Sequence, residues 1–285
     1  MALIGEKGVQ RILLVTAFSA MSALLLIALF IVNEGVPFMF RYGIQGFLLS
    51  SDWDPSSGTF GIFPMIMASL WVTVGALLVG APLGIAGAVF LSEFAPRPVM
   101  RVVKPAIELL AAIPSVVYGF IGVMVLAPLI REVFGGPGLS VLAASIILGI
   151  MILPTVISIS IDSILAVPQS YREGSLALGA TVWQTVHMVT VRAAKSGIIA
   201  SVILGLGRAI GETMAVIMVA GNAVKIPDSP LDSVRTLTAN IALEMSYATG
   251  MHREALFATG VVLFVVIIIL NTVASVAMRK RAAKK

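Results

Sequence analysis

Six stretches of the chain, 11–32, 62–90, 109–130, 139–161, 198–220 and 255–278, are each more than twenty residues long and almost wholly apolar. About 20 apolar residues in an α-helix cross the hydrocarbon of a bilayer. Backbone in lipid must satisfy its own hydrogen bonds, which a helix does within one segment. The sequence therefore predicts an all-α membrane protein with six transmembrane helices. Composition points the same way: 59% of residues are hydrophobic and 12% charged, against about 25% charged in soluble domains. The first stretch is too long for a signal-peptide core and no small-residue cleavage site follows it, so it is expected to remain as a helix.

The fifth stretch, IIASVILGLGRAIGETMAVIMVA, differs from the others in carrying Arg208 and Glu212 near its middle. Each such charge costs roughly 2.5–3.5 kcal/mol at the centre of a spanning helix on insertion scales and rarely faces lipid. In a continuous helix their i, i+4 spacing sets both on one face, where they can pair. Two readings follow, a buried structural ion pair or a polar pathway between helices. Gly205, Gly207 and Gly211 leave little bulk around them, so a neighbouring helix, water or a small solute can approach.

Residues 33–60 are polar, with Trp53 and the turn-prone Asp54-Pro55, and read as a loop outside the hydrocarbon. The basic stretch 92–108 is expected outside lipid, a GGPG turn at 135–138 precedes the fourth span, and 223–253 reads as a further polar loop. Pro82, Pro114, Pro128 and Pro154 fall in the spans and read as kinks or packing devices. The longest polar segment flanked by basic residues, 162–196, carries helix punctuation. Ser170 with Glu173, and Thr181 with Gln184, have capping-box spacing, and Gly179 stands where a C-terminal glycine would end the first of two short helices. The organisation expected is an N-terminal helix and external loop (1–60), a five-helix core (61–278) and a basic tail (279–285).

Basic residues are distributed unevenly between the two sides. One set of segments holds Lys7, Arg11, Arg97, Arg101, Lys104, Arg172, Arg192, Lys195 and the five basic residues of the tail; the other holds Arg41, Arg131, Lys225, Arg235 and Arg253. The positive-inside rule puts the first set, and both termini, in the cytoplasm. Scattered over helix ends, these charges do not form a nucleic-acid face. The absence of cysteine removes disulfides and thiolate chemistry. His187 and His252 are the only histidines and stand apart from clustered carboxylates, so neither a metal site nor a Ser/His/Asp arrangement is supported and no cofactor is expected. An intramembrane enzyme would need such groups at membrane depth. An ion-coupled secondary transporter would be expected to show inverted repeats, which are not visible here.

The segment EGSLALGATVWQTVHMVTVRAAKSGI resembles the EAA loop of the inner-membrane subunits of ABC importers, with Glu173, Gly174 and Ser175 at the EAA positions and Gly179 at the glycine. Arg192 stands where that family usually carries proline. The stretches at 60–96, IELLAAIPSVVYGF at 107–120, GLGRAIGETMAV at 205–216 and LTANIALEM at 237–245 are similar to the PstC-type permeases of phosphate-specific ABC importers. The resemblance implies a type I ABC importer permease fold and an inner-membrane location. Its implied partners are a PstA-like permease, two copies of a PstB-like cytoplasmic ATPase and a PstS-like phosphate-binding protein outside. It further implies that the 162–196 loop couples to the ATPase through Glu173, Gly174, Ser175 and Gly179, and that Arg208 and Glu212 lie on the phosphate pathway. The chain has no GxxxxGK[ST] phosphate loop, so ATP hydrolysis would fall to a partner. Sulfate, molybdate or another oxyanion is the alternative cargo.

Because the chain lacks native cysteine, the topology can be checked with single thiols. Ser56→Cys and Ser229→Cys should react with an impermeant maleimide in intact cells, and Ser175→Cys only after the inner side is opened. Labelling of Ser175→Cys in intact cells would refute the six-span arrangement.

Overall fold

Lipid offers helices no hydrophobic drive to associate, so close backbone approach through small residues has to supply the contact. The computed structural model describes the chain from residue 6 to 283, and its side chains from 8 to 276. Its helices are α1 (Glu6–Tyr42), α2 (Ile44–Leu49), α3 (Phe63–Val89), α4 (Arg97–Ala111), α5 (Ser115–Ile121), α6 (Ala127–Phe134) and α7 (Val141–Leu165). There follow α8 (Gln169–Ala177), α9 (Val182–Thr185), α10 (Val191–Ala193), α11 (Lys195–Gly211), α12 (Met214–Val219), α13 (Leu237–Glu244) and α14 (Gly250–Ala283). π-helical turns continue α3 (Phe90–Phe94), join α5 to α6 (Gly122–Leu126) and join α9 to α10 (Val186–Thr190). Among the described residues, five helical stretches are long and apolar enough to cross a membrane. A sixth is reached if the pair 182–193 and 195–211, bent by 67°, counts as one span.

The centre is the pair α3 and α7. Ala68, Val72, Ala76, Gly80, Gly84 and Ala88 recur every four residues along α3 and are all buried. They form a shallow ridge, and larger residues of α7 fill it. A Cβ on Gly80 would stand 2.6 Å from both the Gly149 carbonyl oxygen and Ile152 Cγ1, and one on Gly84 would stand 2.7 Å from Val156 Cγ1. Pro82 and Pro154 are accommodated inside these two helices without ending them. Ser160 and Ser201 hydroxyls meet at 2.9 Å and join α7 to α11.

Several boundaries differ from those read in the sequence. Residues 33–42 extend α1 as helix, Pro37 included, and the remainder of the first loop holds α2 and a two-residue hairpin, Trp53–Asp54 with Thr59–Phe60. Phe38, Phe47 and Phe60 are buried together, the Phe38 ring centroid 5.7 Å from that of Phe47 and 5.6 Å from that of Phe60. Polarity in this segment reports one exposed face rather than absence of structure. The basic stretch 92–108 is largely the amphipathic helix α4, which packs Ile107 inward and leaves Arg97 and Arg101 exposed. Pro114 then starts a new helix, so the third crossing begins at Ser115 and not at residue 109. Loop 223–253 contains α13, capped by Thr236 through the Ala239 N–H.

The segments assigned by charge to one side gather at one end of the structure. Glu244 accepts from Trp53 Nε1 at 2.9 Å, from Arg235 Nη1 at 2.6 Å, and lies 2.8 Å from His252 Nε2, while Arg41 pairs with Glu254. Nearby, Lys225 and the Asp228 and Ser229 amides hold the Asp232 carboxyl below its ordinary pKa. The other set also meets: Lys104 with Asp162 at 2.8 Å, and Arg172 with Glu93 at 2.6 Å. The side chains of the tail 279–285 lie outside the described residues.

Gly80→Val should overpack the α3–α7 contact against backbone that cannot withdraw, costing about 1–3 kcal/mol. Thermal unfolding in detergent measures this. Val introduced at Gly207, where a Cβ meets nothing within 4 Å, should leave the midpoint close to wild type.

Candidate functional site

Arg208 and Glu212 do not share a continuous helix. α11 ends at Gly211, Glu212 is extended (φ −69°, ψ 131°), and α12 starts at Met214. Of the two readings the sequence left open, the i, i+4 ion pair is not formed. Among the described residues, Arg208 has no hydrogen-bond or salt-bridge partner. The break gives each charge a helix end instead. Arg208 lies in the last turn of α11, beside carbonyls with no helical partner, and Glu212 Oε1 accepts the Ala215 N–H at 3.2 Å at the start of α12. Both placements suit the helix dipole, worth typically 0.3–1 kcal/mol for each charge. Thr238 of α13 pins the break by donating to the Glu212 carbonyl oxygen at 3.0 Å.

One face of α11 is committed to packing, with Ile198, Ser201, Gly205, Leu206, Ala209 and Ile210 buried. The opposite stripe, Ser196, Ala200, Leu204 and Gly211, is exposed, and half-buried Arg208 lies along it. A Cβ on Gly207 or Gly211 would meet nothing within 4 Å. The helix surface around Arg208 is thus open. An uncommitted guanidinium presents planar, charge-assisted donors that match an oxyanion. Broken helices are tolerated at membrane depth where they line a cavity or are buried in protein.

The second group of residues forms a helical hairpin. Gly179 adopts φ +85°. Its N–H reaches Leu176 O at 3.0 Å, and the Ala180 N–H reaches Ser175 O at 3.2 Å, the two bonds of a Schellman ending. Thr181 and Gln184 form the expected capping box on α9. The Ser170–Glu173 box is absent: α8 starts one residue after Pro168, which takes the N-cap position, so Ser170 is already inside the helix. Glu173 and Gly174 are exposed mid-helix, and Ser175 Oγ meets Thr185 Oγ1 at 2.9 Å, closing the hairpin. At its tip Leu178 is 90% exposed and Trp183 63%, with Trp183 stacked on His187. Apolar side chains held this far into solvent mark a contact surface. Where the family pattern has proline, Arg192 lets α10 continue, and the chain bends where α10 meets α11.

Sequence reasoning missed Glu93 and Thr238. The contacts that matter are long-range: Glu93 meets Arg172 across 79 positions, and Thr238, besides its local contact with Thr236, meets Glu212 across 26.

The family described as binding-protein-dependent transport system inner membrane component matches residues 80–283, which include both the hairpin and the broken helix. The chain belongs to this permease family. Among curated relatives, the permease is 44% identical over 90% of its length to the probable ABC transporter permease protein YqgH of Bacillus subtilis, covering 85% of that protein. It is 37% identical to the phosphate transport system permease protein PstC of Mesorhizobium japonicum, over 80% of this chain and 76% of that one. Solved structures agree on the fold, that of type I ABC importer permeases. A bacterial ABC transporter for alginate import matches 96% of the permease and 98% of its own chain with a TM-score of 0.65 at 16% identity. The MetNI methionine transporter in an inward-facing form covers 82% of the permease and 99% of its own chain, with a TM-score of 0.59 at 18% identity.

A side chain at Gly179 must adopt a backbone conformation costing an L-residue about 1–2 kcal/mol, although open space surrounds it. Gly179→Arg should insert into the membrane normally while the hairpin opens more readily. Hydrogen exchange over 169–190 should accelerate by roughly tenfold, as about 1.4 kcal/mol dictates, with α3 and α7 unchanged.

Proposed function

We propose that this permease is one half of the translocation unit of an ATP-driven importer that carries inorganic phosphate across the inner membrane by alternating access. The observation that carries the reading is the uncommitted guanidinium of Arg208, presented at a helix break on a stripe that this chain leaves open. The PstC name of several relatives supplies the cargo. At neutral pH phosphate keeps a proton that sulfate lacks. Arg208 would donate to its oxygens, and Glu212, one oxygen of which is engaged with Ala215, would accept that proton. A carboxylate in this position disfavours a fully ionised oxyanion, which separates phosphate from sulfate or molybdate.

An open stripe on one chain requires a second wall, the role assigned to a PstA-like permease. The hairpin of Glu173, Gly174, Ser175 and Gly179, with Leu178 and Trp183 at its tip, fits the docking element for PstB-like ATPase subunits, one on each permease. The chain itself is a transport subunit and not an enzyme: it lacks the phosphate loop that nucleotide binding needs. A PstS-like protein would deliver phosphate at the opposite end, where the Glu244 cluster lies. The charge distribution supports cytoplasmic termini.

The test is uptake of labelled phosphate into vesicles carrying the complete importer and its binding protein. Arg208→Gln should assemble in normal amount and lose at least tenfold in uptake, about 1.4 kcal/mol of oxyanion stabilisation. Glu212→Gln should lose phosphate uptake and admit more sulfate. Wild-type phosphate uptake by the Arg208→Gln, Glu212→Gln double variant would remove both residues from the pathway.

A further inference from the structure

Helix α8 has no buried residue along its nine positions, so apolar packing does not hold it in place. Arg172 supplies the attachment. Its guanidinium donates to the Glu93 carboxylate through Nη2 at 2.6 Å and Nε at 3.4 Å. It also donates to the backbone at the end of α7 and just beyond it, through Nη1 to Val167 O at 2.9 Å and Nη2 to Ile164 O at 3.0 Å. Both charged side chains are largely withdrawn from solvent, with 16% of Arg172 and 9% of Glu93 exposed. One side chain of the hairpin thereby ties together the cytoplasmic ends of α3, through its π-helical extension, and α7.

We propose that the Arg172–Glu93 pair is the positioning clamp that makes the hairpin and the α3–α7 pair move as one body, so that motion of the ATPase reaches the transport pathway. Three features make the tie directional. A forked guanidinium engaging a carboxylate and two carbonyls fixes orientation as well as distance, which a lysine ammonium would not. α3 and α7 interlock through Gly80 and Gly84, and packed interiors transmit displacement with little loss. α7 in turn holds α11 at Ser160–Ser201 and at Gly197, where a Cβ would clash with Ser163, and α11 ends at Arg208. The hairpin's own covalent route to α11 passes through the 67° bend where α10 meets α11, so it does not run straight along the helix axis. Without the clamp, α8 is left with the residues after α7 and with its contact to the second half of the hairpin at Ser175–Thr185, and that half keeps the apolar contacts of Trp183 with Phe94 and of Val191 with the α3–α7 ends.

This rests on reading the hairpin as the ATPase contact, and the test separates the two. Removing one charge of a buried pair strands the other, so the informative variant is the double Glu93→Gln, Arg172→Gln, which leaves neither unpaired. Spin labels are placed at Ala86→Cys on α3 and Ala177→Cys on α8 in the assembled importer, in vesicles. In the native background their separation should be narrow and unchanged by ATP. In the double variant it should broaden and shift with nucleotide, while the ATPase co-purifies normally and ATP consumed per phosphate imported rises at least tenfold. Arg172→Lys should fall between the two. A narrow, nucleotide-invariant separation in the double variant, or native stoichiometry of ATP to phosphate, overturns the clamp. So does loss of ATPase binding in the variant alone, which would make the pair part of the docking surface. Failure of the native importer to bind the ATPase would refute the hairpin reading, and failure to import phosphate the cargo reading; the label separations decide the clamp in either case.

Discussion

A charge held at membrane depth needs a fixed partner, and the cheapest one available to a helix is another charge one turn away. This chain uses its own helix termini instead. The break at Glu212 brings the carbonyl end of α11 to Arg208 and the amide end of α12 to Glu212. Glu212's side chain is thereby bonded to backbone, and Arg208, in the favourable field of the helix end, is released from it. A guanidinium neutralised by a neighbouring carboxylate would have little left to offer a solute. One steadied by dipoles keeps its donors. The rest of the fold can be understood as what is required to hold that break: Thr238 from α13 fastens it, the buried face of α11 anchors it to α7, and α7 is held by α3.

The α3–α7 pair shows how little chemistry is needed to make a rigid element in lipid. Its contact is a row of Ala and Gly at four-residue spacing, with Ile152 and Val156 lodged where those residues have no side chain. Dispersion between closely approached backbones does the work that the hydrophobic effect does in water. Such a contact resists sliding, because any shift along the axis would drive a branched side chain into a ridge.

Much of this was legible in the sequence because it follows from local rules. Span number came from apolar length, and Gly179 and the Thr181–Gln184 cap came from spacing that sets hydrogen bonds within one or two turns. What escaped was decided across the chain. Arg172 read as one of several topological charges, and only folding brings it to Glu93. Glu212 read as a helical residue because the apolar run continues past Gly-Glu-Thr, which outweighed the low helix propensity of Gly211; the competition won by helix-end electrostatics and by Thr238 is invisible to a periodicity argument. The Ser170–Glu173 spacing was a true pattern with the wrong register, since Pro168, fixed in φ, started the helix earlier. The external loop was read from polarity, yet Phe38, Phe47 and Phe60 give it a core of its own.

The exposed tip of the hairpin bears on how the protein must be made. Leu178 stands almost fully exposed at the tip, and Trp183, in contact with Phe94 and His187, is still mostly exposed. Left uncovered, such a tip is an adhesive tag, open to self-association and to the cell's quality-control proteases. Whatever covers that tip would then shield the permease from both fates, so burial there serves its lifetime as well as its assembly.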